Sequence, residues 1–85
     1  MARIIDGGNM NIVGGNVRKY RRVRKMSQQE LSDKLETMAI YICRGSVSRI
    51  EDMSRTVTDI ELYGLSKVLG VSMQDLCDTS LIDNY

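Results

Sequence analysis

The chain has 85 residues, 42% of them apolar and 27% charged, which suits one small globular domain and excludes disorder as a whole-chain description. With no Trp or Phe and four Tyr, its core must come from Leu, Ile, Val, Met and Ala, and a core of that size supplies only about 3–5 kcal/mol. The net charge of +1 hides an asymmetry: residues 16–55 carry +5 and residues 56–85 carry −4, with Arg3 and Asp6 balancing in the first fifteen. Such a split suits one face built for a polyanion and another turned away from it or toward a protein, against the plainer reading of charges solvating a helical surface.

Taken in chain order, MARIIDGG has no long apolar run and no small-residue cleavage pattern, so the expectation is a cytoplasmic protein with reduced thiols and no membrane span. Gly7, Gly8, Gly14 and Gly15 suit a mobile or loosely docked arm, assigned to residues 1–11. Val13, Val17 and Tyr20 then fall at helical spacing and predict a first helix over about 16–25. Six of the eight residues from Arg18 to Lys25 are basic.

Ser27 and Glu30 form an S-x-x-E capping box, which starts a second helix with Leu31 and Leu35 on the core side; no glycine marks its end, expected between Thr37 and Ala39. The spacing predicts a third helix over Arg44–Asp52, with Val47 and Ile50 inward and Arg44, Ser46, Ser48 and Arg49 on the face left free. Two short helices joined by a compact turn, the second presenting long donors, is the arrangement a reader of the DNA major groove requires. Thr58 and Glu61 repeat the capping box for a fourth helix with Ile60, Leu62, Leu65, Val68 and Leu69 as its apolar face and Gly70 as its stop. Ser72 and Asp75 cap a last short helix through Met73, Leu76 and Cys77, leaving a tail over 78–85 in which Leu81, Ile82 and Tyr85 are apolar.

The fold class is therefore all-α. Cys43 and Cys77 lie thirty-four positions apart with no His in the chain, so the expected metal and cofactor complement is none and the thiols are structural. No phosphate loop or nucleophile elbow is present, which argues against an enzyme.

The runs NVRKYRRVRKMSQQELSDKL, SVSRIE and TDIELYGLSKVLGVSMQDL, in that order, resemble the lambda-repressor-like, Xre/Cro-type helix-turn-helix family over roughly residues 12–77. The resemblance implies a compact five-helix domain whose second and third helices form the helix-turn-helix. It also implies a transcriptional regulator, a repressor by expectation, that works in the cytoplasm of a bacterium or phage-infected cell, at the nucleoid, as a homodimer on a two-fold operator in double-stranded DNA. Carried over by position, Arg44, Gly45, Ser48 and Arg49 would read bases, with an arginine able to grip guanine bidentately. Ser27, Gln28, Gln29, Ser46, Lys19 and Arg55 would contact phosphate, anchoring without specifying. Arg21 and Glu51 would form an internal ion pair between the first and third helices.

The chain departs from the family pattern in three places. The connection from Leu35 to Ser48 is long, predicting an extended second helix or a wider turn with Ile40 and Ile42 in the core. Cys43 stands where Ser often caps the third helix, and a thiol is a poorer cap. Met53 stands where Gly often follows that helix, at about 1 kcal/mol if its backbone is left-handed. The acidic residues 56–85 and the tail motivate a second reading, an antitoxin-type or other protein-interaction module on the same fold.

Overall fold

A computed structural model describes residues 8–80. Within them lie five helices: α1 (Gly14–Val23), α2 (Gln28–Glu36), α3 (Arg44–Glu51), α4 (Asp59–Leu69) and α5 (Met73–Leu76). One core joins them, centred on Val17, Leu31, Leu35, Val47, Ile50, Leu65, Leu69 and Leu76, all essentially inaccessible. Helix α3 packs on α1 and α2, whereas α4 packs on α1, α2 and α5.

Side chains start three of the helices. Ser27, Thr58 and Ser72 each accept the amide three residues on, and Glu30, Glu61 and Asp75 each accept the amide of the cap residue in return. Each box satisfies two donors that the first turn would otherwise leave orphaned. Helix α1 begins differently, and earlier than predicted. Asn11 Oδ1 accepts the amides of Val13 and Gly14 at 3.1 and 2.9 Å, while Asn11 Nδ2 donates to the carbonyls of Ile50 and Arg55. Gly14 and Gly15, read from sequence as arm-like, thus form the first residues of α1. Gly14 is there because α1 crosses α3 so closely that a Cβ would overlap the Ile50 carbonyl oxygen. Of the expected arm, Met10 donates its amide to the Met53 carbonyl, and residues 1–7 lie outside the described residues. The apolar tail positions Leu81, Ile82 and Tyr85 lie outside them too.

Helices α1–α4 share one ending. Within three residues of each helix end one residue is left-handed (Lys25, Ala39, Met53 and Gly70, with φ of 57°, 59°, 61° and 70°), and the next amide reaches back five positions. Met26 bonds Arg21, Ile40 bonds Leu35, Ser54 bonds Arg49 and Val71 bonds Ser66. This is the Schellman motif, and glycine fills only the last of the four positions.

The connection after α2 takes one of its two expected forms, and one assignment on α4 is corrected. The connection after α2 is a wider turn and not an extended helix: α2 stops at Glu36, and Ile42 is buried with Ile40 half-buried against the core. Ser32 Oγ donates to the Ile42 carbonyl at 2.6 Å and pins that turn to α2. Ile60, assigned to the apolar face of α4, is 67% exposed. At about 100° per residue it stands on the side of the helix opposite Leu69.

Candidate nucleic-acid interface

Helix α3 turns Val47, Ile50 and Glu51 inward and leaves Arg44, Gly45 and Arg49 exposed, with Ser46 and Ser48 half-buried between. Its position is fixed by Glu51. That carboxylate has no exposed side-chain surface and accepts from Arg21 at 2.6 and 3.0 Å, from Gln28 at 3.1 Å and from Arg18 at 3.3 Å. Burial pushes the Glu51 pKa up. The bonds from Arg21 and Gln28, the Arg21 charge and the Arg18 bond outweigh it and hold the carboxyl below its ordinary value. The Arg21 guanidinium is raised in turn, chiefly by its bond to Glu51. One carboxylate therefore joins α1, the first turn of α2 and the last turn of α3.

The free side of this junction is a hollow of about 360 Å³ lined by Arg21, Ser27, Gln28, Gln29 and Arg44. It brings the N-terminus of α2, whose dipole and first amides favour an anion, beside the first arginine of α3. No carboxylate lines it. In the free protein the Gln28 side chain bonds Glu51 and the Gln29 side chain bonds Asp33, so an anion here would meet the backbone of that turn first. A second hollow, of about 460 Å³, is lined by Gln29, Asp33 and Glu36 of α2, by Tyr41 and Cys43 of the turn, and by Arg44 and Ser46 of α3.

Cys43 is the N-cap of α3 and makes no side-chain cap bond to the helix amides. Its Sγ lies 3.4 Å from Ser46 Oγ, which also accepts from Arg49 at 3.3 Å. The Ser46 hydroxyl, then the Ser46 and Gly45 amides and the Arg49 charge, hold the thiol below its ordinary pKa. Gly45 faces open space, since a Cβ there would meet no atom within 4 Å.

Two of the expected phosphate contacts sit apart from this junction. Arg55 is bonded through both terminal nitrogens to Glu61, at 2.9 and 2.8 Å, and to the Thr56 carbonyl; its charge is balanced where it stands. Lys19 lies over the Tyr20 ring on α1, 5.1 Å from the centroid. Two further cations of the basic run are bonded to acceptors of the fold: Arg18 to Glu51 and Asp52, and Arg24 to the Leu69 carbonyl.

Sequence reasoning missed Tyr41, 76% exposed at the edge of the second hollow. Its signal was the alternation Ile40–Tyr41–Ile42, in which an extended turn sends the flanking residues inward and the middle one out. Asn16 was missed as well. It is buried, and Nδ2 donates to the carbonyls of Leu76 and Asp78, tying α5 to α1. Among the described residues no group of three or more potential ligands stands close enough to hold a metal, and no helix is long and apolar enough to cross a membrane.

Among curated proteins, none matches the chain in sequence. Among solved structures, the restriction-modification controller protein C.AhdI from Aeromonas hydrophila is similar, with a TM-score of 0.66. The match covers 75% of this chain and 86% of that one at 22% identity, a likeness of fold. A helix-turn-helix family model matches residues 17–76, from the first turns of α1 through the end of α5. The chain belongs to that Xre/lambda-repressor-like helix-turn-helix family of DNA-binding transcriptional regulators.

Proposed function

We propose that this protein is a sequence-specific regulator, acting as a repressor, that binds a two-fold operator as a homodimer and sets α3 into the major groove of each half-site. The observation that carries the reading is the hollow where the N-terminus of α2 meets Arg44, free of carboxylates and open beside the exposed side of α3. A phosphate seated there fixes register, and Arg44, Gly45, Ser48 and Arg49 then face base edges. Gly45 allows close approach, and the two arginines supply donors suited to guanine. Ser27, Gln28, Gln29 and Ser46 form the phosphate-anchoring set around the junction. Half-sites about 34 Å apart would present the same edge to both subunits. Occupancy excludes polymerase sterically, with no bond made or broken by the protein, in the cytoplasm of a bacterium or of a phage-infected cell.

The test is a fluorescence-anisotropy titration at fixed physiological salt, comparing DNA from the protein's own promoter region with random duplex. Binding tighter by a factor of about a thousand or more supports the reading; equal binding to both overturns it. The second reading, an antitoxin-type interaction module, is favoured by the acidic charge of residues 56–85. A stoichiometric partner retained through purification from the native host would support it.

A further inference from the structure

We propose that the outer face of α4 is the surface on which two copies of this chain meet, packed antiparallel about a two-fold axis beside Tyr63. This rests on the homodimeric reading above and supplies its surface.

Ile60, Leu62, Tyr63, Leu65, Val68 and Leu69 all fall within the eleven residues of α4, yet only Leu65 and Leu69 are fully buried. A helix that is apolar on more than one side is a helix packed on more than one side. Its inner side is taken by α1, α2 and α5. On the outer side Ile60 and Tyr63, 67% and 50% exposed, are neighbours at i and i+3. Lys67 continues the stripe, its Nζ 5.3 Å from the Tyr63 ring centroid, and exposed Asp59 begins it, Oδ1 accepting the Ile60 amide.

The charges on this stripe indicate what covers it. Asp59 and Lys67 lie four residues before and four after Tyr63, so the apolar centre has an acidic end and a basic end at equal distance. Antiparallel apposition about Tyr63 sets Asp59 against the partner's Lys67 at both ends and ring against ring in the middle. Parallel apposition would set like charges together. A surface complementary to its own two-fold image is what an isologous dimer needs. The small core of the chain gains apolar burial from the association.

The experiment is analytical ultracentrifugation of the full chain over a concentration series, with circular dichroism to confirm that each variant is helical. Wild type is expected to dimerise. Asp59→Lys and Lys67→Asp are each expected to raise the dimer dissociation constant about tenfold, because each turns two attractive pairs into two repulsive ones. An equimolar mixture of these two variants is expected to recover the wild-type constant as a heterodimer, since every facing pair is then of opposite sign. Tyr63→Glu is expected to weaken the dimer about thirtyfold or more. A wild type that stays monomeric, a dimer indifferent to Tyr63→Glu, or a mixture that fails to recover would each overturn the proposal. The DNA titration separates the two readings: a monomer that still selects its operator sinks only the surface. A dimer built as described that selects no DNA sinks only the regulator.

Discussion

Arg21→Ala is the change that most directly tests how α3 is held. The Glu51 carboxylate has no exposed side-chain surface and the Arg21 side chain is 11% exposed, so the substitution removes two short bonds from a charge that has no water to turn to. It also removes the Arg21 bond to the Met26 carbonyl at the turn into α2. Stranding one partner of a buried pair costs about 3–5 kcal/mol. Gln28 and Arg18 remain on Glu51, which sets the expected loss near the lower bound, about 3 kcal/mol, comparable to the whole stability of a chain this size. The assay is urea unfolding followed by circular dichroism. Its pH dependence has a definite sign. In wild type the Glu51 pKa lies below its ordinary 4.5, so its contribution is fully present above that value and is lost as pH falls through the lower folded one. Without Arg21, burial is less opposed and the Glu51 pKa moves up. The stability gap between wild type and variant should therefore narrow as the solution is acidified below neutrality. Replacing both partners by apolar residues, Arg21→Met with Glu51→Leu, should recover most of the loss, because no charge is then stranded. A loss under about 1 kcal/mol, or a gap that does not change with pH, would refute the claim that Glu51 is the junction of the fold.

Within DNA recognition, Arg49→Ala should relax base preference, whereas Gln28→Ala should weaken all sequences about equally; an unchanged ranking of operator variants after Arg49→Ala would remove Arg49 from the reading face. Ala39→Gly should stabilise the chain by about 1 kcal/mol, because the left-handed backbone at φ 59° costs an alanine and not a glycine, and a shift in the urea midpoint at constant slope reports it. Gly14→Ala should destabilise by about 1–3 kcal/mol, since the new methyl meets the Ile50 backbone carbonyl. Gly64→Ala should cost less than Gly14→Ala, because its nearest obstacle is the movable Ile40 Cδ1; the reverse order in thermal melts would count against the close α1–α3 crossing.

What the sequence disclosed follows the range of the forces involved. The starts of α2, α4 and α5 are local chemistry, a hydroxyl and a carboxylate three residues apart, and Ser27, Thr58 and Ser72 announce them without reference to the rest of the chain. The start of α1 is not local. Its cap comes from Asn11 and its first glycine answers to a carbonyl on α3, so a pair of glycines that suggests a loose arm instead opens a helix at a crossing too close for a Cβ. The helix ends divide in the same way. Gly70 signals a left-handed residue by its identity, whereas Lys25 and Ala39 are held left-handed with Met26 and Ile40, the residues that follow them, packed against the core. At Met53, which family resemblance had marked as a glycine position, the backbone is left-handed all the same. For the interface, residue types were legible and commitments were not. Nothing in the spacing of Arg55 announces the Glu61 carboxylate six residues away as its partner.

The pairing of Arg55 with Glu61 is one of several that divide the basic half of the chain. Ten Lys and Arg lie between residues 16 and 55, and composition alone suits them either to a polyanion or to a solvated helical surface. Four of them (Arg18, Arg21, Arg24 and Arg55) are instead held by acceptors within the fold, two of these on the single carboxylate of Glu51. Two of the four cations of α1, Arg18 and Arg21, thus act as clamps on α3, while Arg44 and Arg49 stand on its outer side, the Arg49 side chain donating to the neutral Ser46 hydroxyl. A helix that reads bases has to be placed to within a fraction of an ångström, and a buried, multiply bonded carboxylate does that better than another surface charge would. If α3 reads bases as proposed, Arg18 and Arg21 of α1 serve recognition by fixing where α3 sits, and the exposed Arg44 and Arg49 would serve it by what they reach.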